Sequence, residues 1–387
     1  MALHPNNQLL VDTLQNTALL DGRYRDIKLV NYDSAADEQR GCFSMVFKAF
    51  DTWDQKHVAL KFYDLHPARL TDRYRRAAFT REPDILSTLM TVERCLQLNS
   101  AMSQYPLTVP KIGITIPCDY FAVEWIDDEI DPYFLQQQSF TPVDKLRLFN
   151  EIVLAVEVLH NHEVFHRDLK PDNMRSYNSA LKRVVVAIDL GTAARMDSNP
   201  MALDYGSQVG APAYAAPEAI GGMSAVRKIA KYCDYYALGC LLFELFNIEL
   251  FYVAVRRKNA TYDAVTAALC SHLRSIEHEK RLQEWNSNLN AFGSGIAPVS
   301  ISEPGNSTPS GVSYILDSIL TTLTDFDYRK RQNKSLDWVR RQVWSAIKVL
   351  NNQKAYDSRA EHARKMKRLR AEKALAREAK AAIRGIK

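Results

Sequence analysis

The feature that most restricts this chain is an eight-residue run, His166-Arg167-Asp168-Leu169-Lys170-Pro171-Asp172-Asn173, set between two segments that read as core. Upstream, Thr141 and Pro142 supply an N-cap and a first-turn proline. Leu146, Phe149, Ile152, Val153, Val156 and Leu159 then recur at helical spacing and predict a core helix over 143–160. Downstream, Val184-Val185-Val186-Ala187-Ile188 reads as a buried strand. It delivers Asp189-Leu190-Gly191, with Asp189 lying 189 − 168 = 21 residues after Asp168. A polar loop braced on both sides by apolar elements holds its carboxylates, amide and cations in fixed places.

The segments before that loop are strands and those after it are helices. Tyr24–Val30, Ser44–Phe50, His57–Phe62, Ile112–Ile116 and Tyr120–Trp125 are apolar or β-branched runs bounded by turn residues, the pattern of a small antiparallel sheet. Between them, 77–98 carries Phe79, Ile85, Leu86 and Leu89 at helical spacing, with Pro83 as an irregularity. The acidic run Asp127-Asp128-Glu129 ends this region. The expected division is an N-terminal polar arm over 1–22, a sheet lobe over 23–126, a helical lobe over 127–350 and a tail over 351–387. Residues 285–311, rich in Asn, Ser, Gly and Pro, read as a loop, and helical pattern returns at 312–324 and 336–350.

The loop chemistry suits phosphoryl transfer. That reaction needs a carboxylate to orient and deprotonate a hydroxyl, and hard oxygen ligands to hold Mg²⁺ on phosphates. Asp168 suits the first task; Asn173 and Asp189 suit the second. These motifs resemble the catalytic loop and metal-binding motif of the eukaryotic-like Ser/Thr protein kinase family. The resemblance extends over roughly 24–350. Val58-Ala59-Leu60-Lys61 is similar to the family's phosphate-binding lysine strand, Glu82 to the helix carboxylate that steadies it (with Glu93 the competing carboxylate), and 210–218 to the end of the activation segment. Asp234 resembles the aspartate that braces the catalytic loop, and Arg331 the late arginine that pairs with Glu218.

The resemblance implies an α+β bilobal fold, ATP and Mg²⁺ as cofactors, a protein substrate phosphorylated on serine or threonine, and autophosphorylation. It implies that Asp168, Lys170 and Lys61 carry catalysis, and that Gly41, Val46, Ala59, Glu124, Ile126, Lys61, Glu82, Asn173 and Asp189 surround the nucleotide. Val123 falls at the gatekeeper position. The sequence departs from the family at three places: only Gly41 of the glycine-rich loop remains, Arg175 stands where an apolar residue lies beneath the adenine, and Ala211 replaces a threonine. A kinase-fold scaffold and a small-molecule kinase are the alternative readings. Arg167 beside Asp168 suggests control by a phosphate on the activation segment, with Ser207, Ser198 or Tyr205 as acceptors.

Composition narrows the rest. The formal charge is +5, but 358–387 holds 11 Lys/Arg against 3 Asp/Glu, so residues 1–357 carry 5 − 8 = −3. The basic character is confined to the tail, whose Ala, Arg, Lys, Glu and Leu predict a helix as far as Ile383 and a surface for a polyanion or an acidic protein. The six cysteines form no CxxC pair, which fits reduced thiols in a cytoplasm. The most apolar stretch, 235–255, is interrupted by Glu244 and Glu249 and reads as a buried helix, not a membrane span.

Overall fold

The computed structural model describes residues 3–384 except 34–37, 40–43, 111–112, 180–181, 196–209, 225, 293–294 and 303–310. Its first lobe is a five-stranded antiparallel sheet in the order Tyr24–Leu29, Ser44–Asp51, Lys56–Tyr63, Thr115–Glu124, Leu98–Thr108. Alternation along these strands sends residues to opposite faces. Ala59, Lys61 and Tyr63 face one way with Phe121 and Val123; Val58, Leu60 and Phe62 face the other with Tyr120 and Ala122.

The first face is covered by the helix Arg73–Thr88, started by Asp72, whose carboxylate accepts from the amides of Tyr74 and Arg75. This helix ends ten residues short of the expected Leu98. Thr91 and Arg94 adopt positive φ, so the chain turns there, and 98–108 becomes a strand that the sequence did not announce. That strand is polar and carries Pro106, both tolerated because it lies at the sheet edge.

The second face is covered by the N-terminal residues. Pro5–Gln15 form a helix with Pro5 in its first turn and Leu10, Val11 and Leu14 buried against Phe47, Phe62 and Tyr120. Burial of such side chains stabilises by about 1.5–3 kcal/mol each. What reads as a polar arm is therefore part of the lobe core.

The second lobe is built on Pro142–Asn161 and Arg227–Phe246, packed together with Ser313–Thr324 and Leu336–Asn351. Thr141 and Asp144 form a reciprocal capping box at the start of the first of these. The expected loop over 285–311 is a helix in its first part: His278–Phe292 buries Trp285 and Leu289. Its Asn and Ser residues obscured an i, i+3, i+7 pattern of Leu282, Trp285 and Leu289. Met174–Ser179 and Lys182–Ala187 form an antiparallel pair that carries the loop residues into the cleft. No single described helix is long and apolar enough to cross a membrane. The described cysteines are unpaired and buried. The tail forms the helix Gln353–Arg384, with Met366 and Leu369 exposed.

Candidate active site

The strand Lys56–Tyr63 and the helix Arg73–Thr88 bring Lys61 to Glu82. Lys61 Nζ is 2.7 Å from both carboxylate oxygens of Glu82 and 3.3 Å from Asp189 Oδ1. Lys61 and Glu82 are buried, and the Leu190 amide also donates to Glu82 Oε1 at 3.2 Å. Burial disfavours the ammonium, but the Asp189 and Glu82 carboxylates outweigh it and raise the Lys61 pKa above its usual value. Glu93 is exposed, so Glu82 is the partner. Burial also pushes Asp189 upward, but Lys61 overrides it and holds this carboxyl below the ordinary range.

Asp168 lies in a loop held by hydrogen bonds on both sides of it. The buried Asp234 carboxylate accepts from the amides of His166 (2.8 Å) and Arg167 (2.7 Å), as expected of a brace, and from His160 Nε2 at 2.8 Å. His166 Nε2 bonds the Ile188 carbonyl at 2.9 Å, which ties the loop to the strand ahead of Asp189. Asp168 Oδ1 accepts from the Ala211 amide at 2.7 Å, and Asn173 Nδ2 donates to Asp168 Oδ2 at 3.0 Å and to its carbonyl at 2.8 Å. Burial raises the Asp168 pKa, an effect partly offset by Lys170 and His166. A carboxylate so placed is a better proton acceptor than one in water.

Further out, Arg331 Nη2 donates to both oxygens of Glu218 at 2.7 and 2.6 Å, and neither residue is exposed. This anchors the end of the activation segment in the second lobe.

Ala59 is buried in register with Val123, and Val46 pairs with Lys61 across neighbouring strands. Glu124 and Ile126 border the hinge; the Glu124 amide donates to the Gln97 carbonyl and its carboxylate accepts from the Gln97 amide, at 2.9 Å each. Lys170 lies 3.6 Å from Asp172 Oδ2. Gly41 lies outside the described residues, as do Ser198, Tyr205 and Ser207. Arg175 turns its guanidinium to the carbonyls of Asp172 and Met174 and towards Glu129, 3.5 Å away.

Two contributors were not legible as site residues. The Ala211 amide substitutes a backbone donor for the missing threonine hydroxyl. Gly210, at φ +85°, allows that approach, because a Cβ there would collide with the Arg167 carbonyl oxygen.

The protein kinase domain family matches residues 39–337. This span is 337 − 39 + 1 = 299 residues, well over half of the 387. The chain belongs to the protein kinase family. Among similar proteins, the kinase is 27% identical over 210 residues to the dual specificity protein kinase Ttk of Danio rerio, covering 53% of this chain and 19% of that one. It is 29% identical over 213 residues to the carbon catabolite-derepressing protein kinase of Saccharomyces cerevisiae, covering 54% and 30%. It is also 28% identical over 251 residues to the serine/threonine-protein kinase PknD of Chlamydia felis, covering 60% and 26%. The matches thus span less than a third of each relative's length.

Kinases of this family use ATP and Mg²⁺, and the donor set here fits both. Asn173 spends its amide nitrogen on Asp168, so its carbonyl oxygen is the group left for a cation. With a carboxylate oxygen of Asp189 it would supply two hard ligands to Mg²⁺, whose other positions phosphate and water would fill. Lys61, held by Glu82 and Asp189, would meet a triphosphate with a fixed positive charge.

Proposed function

We propose that this chain transfers the γ-phosphoryl group of ATP to serine or threonine hydroxyls of protein substrates, itself included. The observation that carries this reading is the double restraint on Asp168, by the Ala211 amide and the Asn173 side chain, beside an intact Lys61–Glu82–Asp189 cluster. In this reading Asp168 orients the acceptor hydroxyl and takes its proton, while Lys61, fixed by Glu82, positions the α- and β-phosphates. Mg²⁺ held by Asn173 and Asp189 neutralises charge on the phosphates. Lys170 faces the transferred group and stabilises it as charge shifts.

A scaffold would have no need of all four of Lys61, Asp168, Asn173 and Asp189, and their geometry supports turnover instead. Lys170 supports serine or threonine over tyrosine, although some relatives are named dual-specificity. Incubation with labelled ATP, Mg²⁺ and a mixed peptide library tests the reading. Phosphoserine or phosphothreonine products are expected; the absence of any transfer would favour the scaffold.

The helix Gln353–Arg384 supports a second, separable role as a cationic surface for a polyanion. Its apolar residues are too few for membrane insertion. Removal of 358–387 is expected to leave peptide phosphorylation unchanged and to lower the salt at which the protein leaves heparin. Elution at the same salt would exclude the role. The buried free thiols fit a reducing, cytoplasmic setting.

A further inference from the structure

The N-terminal helix does more than cover the sheet, because its one buried polar residue is wired to the segment joining Lys61 to Glu82. Asn7 is 2% exposed and uses both ends of its amide: Nδ2 donates to Asp64 Oδ1 at 2.8 Å, and Oδ1 accepts from the Leu65 amide at 2.8 Å. Neighbouring Asn6 donates to the Leu65 carbonyl at 3.3 Å. Asp64, 1% exposed, lies three residues after Lys61 and also holds the His66 amide at 2.8 Å and the Arg69 guanidinium.

From there the contacts lead to the helix that carries Glu82. The Arg69 carbonyl accepts from Tyr63 Oη at 2.7 Å, the Tyr63 ring meets Phe79 edge-on at 5.3 Å, and Arg76 lies 5.0 Å over the same ring. Phe79 is one turn before Glu82 on the same helical face. The chain from 64 to 72 would otherwise be a short exposed connection, free to let Arg73–Thr88 swing away from the sheet.

We propose that Asn7 is a positioning residue: by clamping Asp64 and Leu65 it holds the helix Arg73–Thr88 in the orientation that places Glu82 against Lys61. The N-terminal helix is then an internal part of the phosphate-binding apparatus. A chain in which this helix is displaced would keep its second lobe and lose the Lys61–Glu82 pair. This inference rests on the kinase reading for its effect on turnover, but not for its effect on the helix.

The test uses the full chain with Asn7→Ala, and the milder Asn7→Ser should Asn7→Ala not fold, each well below its Tm. The primary measurement is amide hydrogen exchange across 73–88, with 227–246 as internal reference. Faster exchange in 73–88 alone is expected; unchanged protection there, or equal loss in both helices, overturns the proposal. The second measurement is phosphotransfer in a double-mutant cycle with Glu82→Gln. Asn7→Ala should lower kcat about 5–10-fold in the parent and less than about 2-fold in the Glu82→Gln background, because the group being positioned is already gone. The same loss in both backgrounds marks a merely structural role and overturns the proposal. If the parent chain transfers no phosphoryl group, the kinase reading fails while the exchange result still decides the role of Asn7.

Discussion

Among the described residues of the cleft Lys61 and Glu82 form the closest ion pair, with Nζ equidistant at 2.7 Å from the two carboxylate oxygens, and Asp189 completes the cluster at 3.3 Å. A lysine held this way has its long stem fixed in advance, so its charge meets the phosphates without reorganisation. Lys61→Met removes that charge and is expected to lower kcat by roughly 10²–10³ while the chain remains folded. A steady-state assay with circular dichroism as the folding control checks this. Parent-level turnover would mean that the sheet lobe is not the phosphate-binding element.

Gly210 makes a sharper test of loop geometry, because it does no chemistry. At φ +85° it lets the Ala211 amide reach Asp168. Gly210→Ala forces a Cβ onto the Arg167 carbonyl and strains the left-handed backbone, at a cost of order 1–3 kcal/mol. The expected result is loss of most turnover with a Tm only a few degrees lower. A variant as active as the parent would show that the Ala211–Asp168 contact is dispensable.

The sequence announced the catalytic loop because the chemistry demands consecutive polar residues at one place in the chain, and a core helix and strand on either side mark them. Glu82 needed the structure to separate it from Glu93, since the choice depends on where a helix turns and not on local composition. The N-terminal helix was hidden for a related reason. Asn7 is buried by a partner 57 residues away, and no local pattern encodes that. The 98–108 strand and the Trp285 helix were obscured because polar residues are tolerated at an edge and on an outer helical face.

Glu244 provides a pH-dependent signature of the second lobe. Burial pushes its carboxyl up to about 7, with Tyr214 donating to Oε2 at 2.8 Å. The folded chain therefore binds a proton that the unfolded chain releases near 4.5, so this residue destabilises the fold progressively as pH rises from about 4.5 to about 7. The full effect is up to about 3 kcal/mol. Glu244→Gln, neutral at all pH values and still an acceptor for Tyr214, should be more stable than the parent at pH 8 and nearly equal at pH 5. Tm differences that are the same at both values would contradict the assignment.

The role of Asp168 in activating the acceptor hydroxyl is read from the phosphotransfer rate of Asp168→Asn. The substitution keeps the side-chain shape and an oxygen for the Ala211 amide, and removes the ability to take a proton. A folded protein with a kcat roughly 10²–10⁴ lower than the parent is expected, the usual cost of losing a general base. A folded Asp168→Asn protein that phosphorylates peptide at the parent rate would contradict it.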